Sequence, residues 1–149
     1  MNFIQIQIKT LFSDVILPTK QTSGAAGYDV YSYNPGKTIV IPKNSVEFVH
    51  TGFILEIPGG YDVEIRPRSG LSTKYKVIIP NSPATIDSDY RGEILVASFN
   101  FGDSEVVIAH GMRVAQLVLR KSIHIEWKTV EELSQTERGK GGFGSTGKL

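Results

Sequence analysis

Ile4-Gln5-Ile6-Gln7-Ile8-Lys9 alternates apolar and polar residues without a break. A two-residue period throws Ile4, Ile6 and Ile8 to one face of an extended chain and Gln5, Gln7 and Lys9 to the other, the pattern of a half-buried strand. Short apolar or alternating runs recur at Thr38–Ile41, Ser45–Thr51, Phe53–Ile57, Tyr61–Arg66, Val77–Ile79, Ile94–Phe101, Val106–Ala109, Val114–Leu119 and Ile123–Trp127. Each is rich in Val, Ile, Phe or Tyr, as strands are. Turn-forming clusters separate them, among them Asn34-Pro35-Gly36, Pro42-Lys43-Asn44, Pro58-Gly59-Gly60, Asn81-Ser82-Pro83, Gly102-Asp103-Ser104 and His110-Gly111. About ten strands at intervals of roughly ten residues predict an all-β sandwich, jelly roll or barrel. Helix is expected only at Ser69–Tyr75 and Val130–Ser134.

The chain has 149 residues, 16 Lys+Arg against 15 Asp+Glu, and no cysteine. Its length suits one domain with a real core. Disulfide scaffolds and Cys-ligated zinc are excluded, and near-neutral charge gives no global attraction for nucleic acid or membrane. No apolar run approaches a membrane span and the N-terminus lacks signal-peptide features, so an intracellular protein is expected. Five of the 15 glycines, at positions 139, 141, 142, 144 and 147, fall in the last eleven residues. The composition shift at Arg138 divides a β domain, residues 1–137, from a flexible tail, residues 138–149. That tail fits G-x-G-x-x-G at Gly139–Gly144 and G-x-x-x-x-G-K at Gly142–Lys148. Both patterns need a strand before and a helix after, and no helix can follow here.

Three polar clusters carry candidate chemistry. Asn81 to Gly92 reads as a hairpin loop between Val77–Ile79 and Ile94–Phe101 that could aim Asp87, Asp89, Tyr90 and Arg91 into a common space. Turn capping and a surface ion pair account for the same residues equally well. Arg66-Pro67-Arg68-Ser69-Gly70-Leu71-Ser72 places two arginines and a hydroxyl at a helix start, with Ser69 at the N-cap position. It is either an anion site or a capped helix with solvated arginines. Ser23 to Ser32 is rich in small residues and holds Asp29 between neighbours expected to be largely buried. His50, His110 and His124 show no ligand or triad spacing.

Five ordered motifs resemble the trimeric deoxyuridine triphosphate nucleotidohydrolases, the all-β dUTPases. They are Ala25–Ser32 (AAGYDVYS), Pro67–Leu71 (PRSGL), Ile86–Gly92 (IDSDYRG), Gly111–Leu117 (GMRVAQL) and Arg138–Gly147 (RGKGGFGSTG). The resemblance implies a jelly-roll-like subunit with one short helix in a homotrimer, hydrolysing dUTP to dUMP and pyrophosphate with Mg²⁺. Each active site would be built from three chains and closed by the C-terminal motif. By the same resemblance Asp87 is the base for the attacking water. Tyr90 packs on deoxyribose, Asn81 and the Thr85–Asp87 stretch, Ile86 included, hydrogen-bond the uracil edge, and Leu95 is a further substrate-binding residue. Arg68, Ser69, Gly70 and Gln116 hold phosphates, and Asp29 holds a water on the triphosphate-bound Mg²⁺. From the tail, Phe143 stacks on uracil while Arg138, Gly144, Ser145 and Thr146 grip the nucleotide. No direct nucleic-acid or membrane contact is implied. The host compartment follows the source, cytoplasmic for a bacterial chain and nuclear or host-cell otherwise.

Two positions depart from the pattern. Ala84 stands where the third motif usually has glycine, and a positive φ there would strain the hairpin. Met112 replaces the usual Asp of the fourth motif. Two alternatives remain: a dCTP deaminase, whose fold is related but whose zinc form needs cysteines absent here, and a nucleotide-controlled binding protein.

Overall fold

A computed structural model describes residues 3–142. In chain order the strands are β1 (Gln7–Thr10), β2 (Tyr28–Tyr31), β3 (Thr38–Ile41), β4 (Val46–His50), β5 (Phe53–Glu56) and β6 (Tyr61–Arg66). Helix α1 (Ser69–Tyr75) follows, then β7 (Val77–Ile78), β8 (Ala84–Ile86), β9 (Leu95–Asn100), β10 (Val106–Ala109) and β11 (Arg113–Lys121). The fold is the all-β, jelly-roll-like arrangement with one short helix that the family resemblance implies, one of the three architectures that the turn spacing allows. Every pairing is antiparallel: a four-stranded sheet β2-β11-β6-β8, a three-stranded sheet β4-β9-β7, and the two-stranded pairs β1-β5 and β10-β3.

The core follows from alternation. Val63 and Ile65 on β6, Val96 on β9, Ile108 on β10 and Val30 on β2 turn inward and are essentially inaccessible, joined by Phe53, Ile41 and Ile94. The buried Asn100 is fully paired. The buried Asn100 amide donates to the carbonyls of Ile41 (3.0 Å) and Ser104 (2.8 Å), and its oxygen accepts from Gly102 N (2.9 Å). At Gly52 (φ +75°) a Cβ would stand 2.7 Å from Val15 Cγ2 and 3.0 Å from the Tyr33 ring, so only glycine lets the chain turn there.

Several expectations are corrected. The Ile4–Lys9 alternation is right, with Ile6 and Ile8 packed on the core, but the ladder begins at Gln7 because only Gln7 to Thr10 face β5. Ile123–Trp127 forms no strand: no other described strand pairs with it, leaving Ile123, Ile125 and Trp127 at 85%, 68% and 87% exposure. Val130–Ser134 forms no helix, being too short to nucleate without packing. Strand β2 lies within the small-residue cluster, and β8 lies within the expected hairpin loop. β7 and β9 do pair across that loop, but its middle leaves them to join β6 in the other sheet.

On β6 and β11 the outward face carries a charged cluster. Glu64 is 4% exposed, accepts from Arg66 Nε (2.7 Å) and pairs with Arg120 across the ladder. The Arg66 hydrogen bond, with Arg120 adding to it, holds the Glu64 carboxyl below the usual carboxylate range against the opposing effect of burial. The unfolded chain therefore binds the Glu64 proton at higher pH than the folded one. This contribution is complete above the unfolded value near pH ~4.3 and is lost as pH falls through the lower folded value. Calorimetry from pH 6 to pH 2 is expected to show Glu64→Gln melting below the parent at pH 6. That gap should close at the acid end, and a gap independent of pH would remove Glu64 as its source.

Candidate active site

Register builds the first half of the site. Asp29 on β2 stands opposite Gln116 of β11, and Gln116 stands opposite Arg66 of β6, so all three share the outward sheet face. With Arg68, Ser69 and the Ala25–Gly27 segment they line a cavity of about 390 Å³. Asp29 Oδ1 accepts from Arg68 Nε and Oδ2 from Arg113 Nη1, each at 3.1 Å. Its side chain is only 12% exposed. Two guanidinium groups against one carboxylate leave the cavity with net positive charge, suited to a polyanion. Gln116 Nε2 donates to Pro67 O (3.0 Å), fixing the turn that delivers Arg68. Gly27 packs directly beside it: a Cβ would fall 2.7 Å from Gln116 Oε1 and displace the end of that side chain.

The helix start differs from expectation. Arg68 (φ −90°, ψ 135°), not Ser69, occupies the N-cap, and no side chain caps it. With α1 only seven residues long, anion affinity rests on the arginines rather than on a helix dipole. Asp29 is flanked on one side only by a buried neighbour, since Val30 is inaccessible but Tyr28 is 41% exposed. The residues fit a metal carried in by the ligand. Among the described residues no three His, Cys, Asp or Glu side chains cluster, and Asp29 is the one carboxylate on this cavity. Such a set suits Mg²⁺ held chiefly by phosphate oxygens and water.

The second half is the β8 hairpin. Thr85 and Ile86 lie on β8 opposite Glu64 and Val63, and Asp87 follows them, exposed. The Tyr90 hydroxyl donates to Glu93 O (3.2 Å), which holds the ring, 44% exposed, beside Gly92. Asn81 is exposed and Leu95 is 38% exposed. Asp87 and Tyr90 are joined by the Tyr90 N–H bond to Asp87 O (3.2 Å). Asp89 and Arg91 line a separate cleft with Gln5, Gln7 and Glu56, and Arg91 is held by Ser88 O at 2.7 Å and Tyr90 O at 2.9 Å. Ala84 is unstrained: Lys76 and Asn44 are the described non-glycine residues with positive φ, and Ala84 is ordinary strand opposite Ile65. Met112 places its side chain against the core while its N–H bonds Ala109 O (3.2 Å) and Ser32 Oγ (3.1 Å).

The two halves are apart within one chain. Ile86 faces Val63, so the next residue, Asp87, comes abreast of Asp62, whereas Arg68 lies six residues farther along. At ~3.3 Å per residue the stretch of β6 from Asp62 to its end at Arg66 alone spans about 13 Å. Gly70 and the hairpin residues do not line the Asp29 cavity. Arg138 is exposed and turns back on its own segment, Nε donating to Gly141 O at 2.9 Å. Phe143, Gly144, Ser145 and Thr146 lie outside the described residues. The motifs assign Arg113 no role, and Arg66, read with Arg68 as part of an anion site or as a solvated arginine, is instead paired with Glu64.

A cationic cavity on a jelly-roll sheet, with exposed carboxylates on the neighbouring hairpin, suits a protein that binds a polyanionic ligand. A sequence model of the dUTPase family matches residues 13–147. The deoxyuridine 5'-triphosphate nucleotidohydrolase of Leptospira interrogans is 49% identical over 97% of this chain and 99% of its own. That of Rickettsia typhi is 42% identical over 99% of each. The dUTPase of Staphylococcus bacteriophage 80alpha, solved with dUPNHPP, superposes with a TM-score of 0.85 at 28% identity, covering 96% of this chain and 98% of that one. The chain belongs to the dUTPase family, hydrolases that convert dUTP to dUMP and pyrophosphate.

Gly27→Ala is expected to fold but to push the Gln116 amide off Pro67 O, raising KM for dUTP several-fold with little change in Tm. An unchanged KM would show that the Gln116–Pro67 contact is dispensable.

Proposed function

We propose that dUTP hydrolysis proceeds here by attack of an Asp87-oriented water on the α-phosphorus, in a site shared between chains of a homotrimer. The water oxygen bonds to the α-phosphorus and its proton passes to Asp87. The bond to the bridging oxygen breaks, and pyrophosphate leaves. Asp87 suits this role because its carboxylate is exposed and has no ion-pair or hydrogen-bond partner among the described residues, so it is free to accept from water.

The observation that carries the shared site is the register of β8 on β6. A base set back along β6, about 13 Å from the strand end that leads to Arg68, is poorly placed to serve a phosphate held by that same arginine. This supports a site in which the base of one chain meets the arginine of another. Further support comes from Ile123, Ile125 and Trp127, which alternate like a strand yet lie exposed. Such a stripe suits cover by a neighbouring chain.

The remaining roles follow the chemistry of each group. Arg68, with Ser69, Gly70 and Gln116, receives the phosphates, and Asp29 holds a water of the cation. Mg²⁺ on the triphosphate supplies neutralisation of its non-bridging oxygens. The hairpin of Asn81, Thr85, Ile86 and Leu95 surrounds uracil, and Tyr90 packs on the sugar where a 2′-hydroxyl would stand. Refusing thymine means refusing one methyl, worth only ~1–3 kcal/mol to a snug pocket, so the hairpin wall must be stiff. The pairing of β8 with β6 supplies that stiffness. Arg138, Phe143, Gly144, Ser145 and Thr146 close the site from the tail.

Asp87→Asn should bind nucleotide and lose turnover, while Arg68→Ala should lose phosphate binding. Co-refolded in equal amounts, the two inactive variants should recover roughly a quarter of parental activity, the random-mixing share of sites with an intact base and an intact arginine from different chains. No recovery would sink the shared site, and retained turnover in Asp87→Asn would remove Asp87 as the base.

A further inference from the structure

Strand β11 breaks its own alternation. Val114 and Ala115 are consecutive and both buried, at 1% and 0% exposure. The ladder with β2 shifts register there: Gln116 faces Asp29, Ala115 faces Val30, and Arg113 faces Tyr31, leaving Val114 as the extra residue of a bulge. Counted back from Gln116 with a strict period of two, Arg113 would point into the core. The extra residue returns it to the outward face, where Asp29 lies. Its Nη1 donates there to Asp29 Oδ2 at 3.1 Å.

We propose that Arg113 is a positioning residue for dUTP hydrolysis: through Asp29 it fixes Arg68 in the orientation that receives the phosphates. This rests on the reading of Arg68 as a phosphate ligand. Each Asp29 oxygen holds one guanidinium, and with Arg113 on Oδ2 the Oδ1 atom is left aimed at Arg68 Nε, also at 3.1 Å. Arg68 Nη1 donates in addition to the Arg113 carbonyl at 3.3 Å, so side chain and backbone of Arg113 both constrain it. Two of the five N–H groups of Arg68 are thereby spent on orientation, and three remain for a ligand. A guanidinium held before binding loses less freedom on binding.

The test titrates the full-length protein with two probes: an α,β-imido analogue of dUTP, and deoxyuridine, which has no phosphate. Arg113→Gln should weaken the analogue about tenfold and leave deoxyuridine unchanged, while Arg113→Lys, keeping the charge without the fork, should recover part of the loss. In an Arg68→Ala background, Arg113→Gln should add less than about twofold, since its effect passes through Arg68. Equal weakening of both probes, an unchanged analogue affinity, or a full effect without Arg68 would each overturn the proposal. If Arg113→Gln does not fold, the lysine variant carries the same comparison with a smaller loss. An analogue affinity unchanged by Arg68→Ala alone would instead remove the phosphate reading of Arg68.

Discussion

The ladder between β6 and β11 is the constraint on which the rest depends. Its pairs run from Gln116 opposite Arg66 to Lys121 opposite Tyr61. Because both strands sit inside the four-stranded sheet, neither can slip by one residue without turning its apolar set outward. One face presents Val63, Ile65 and Leu117 to the core. The other carries Glu64, Arg66, Gln116 and Arg120 and continues through β2 to Asp29. Stability and chemistry are therefore two faces of one sheet, and fixing the register for the first fixes the geometry of the second.

Burying charge on that outward face is acceptable only because it is paired. Glu64, 4% exposed, would be costly alone, and Arg66 and Arg120 flank it from the two strands of the ladder. Arg66 is consumed in this way although it lines the Asp29 cavity. Arg68, beyond the end of β6, shares Asp29 with Arg113 and keeps free N–H groups. The contrast assigns the two arginines of Arg66-Pro67-Arg68 to different work, which their adjacency in the chain does not reveal.

Much of the fold was legible because the period of two is a direct imprint of a sheet with one dry face. Tyr61–Arg66 and Val106–Ala109 were read to the residue, and Ser69–Tyr75 as the helix. Two strands escaped. Tyr28–Tyr31 is a four-residue strand adjoining a run of small residues, and Ala84–Ile86 is three residues set between turn signals; both are held by partners distant in sequence. Ile123–Trp127 fails in the opposite sense, having strand composition without a partner. In the site, the five motifs marked Asp29, Arg68, Asp87 and Gln116, but no local pattern tells which side of β11 Arg113 takes. Its signal is Val114-Ala115, two small apolar residues in succession where alternation demands one, legible only once the strand's neighbours are known.

The separation of base and arginine within one chain has an energetic consequence. In the shared site proposed above, a nucleotide touches more than one chain, so its binding free energy also stabilises the assembly. A ligand at a hundred times its Kd adds ~2.7 kcal/mol per site by mass action. If Asp87 is the base and Arg68 the phosphate ligand, as proposed above, an isolated subunit would bind parts of dUTP without aligning a water on its phosphorus. Hydrolysis would then be confined to assembled molecules, with the β6–β8 and β6–β11 pairings holding the two groups apart.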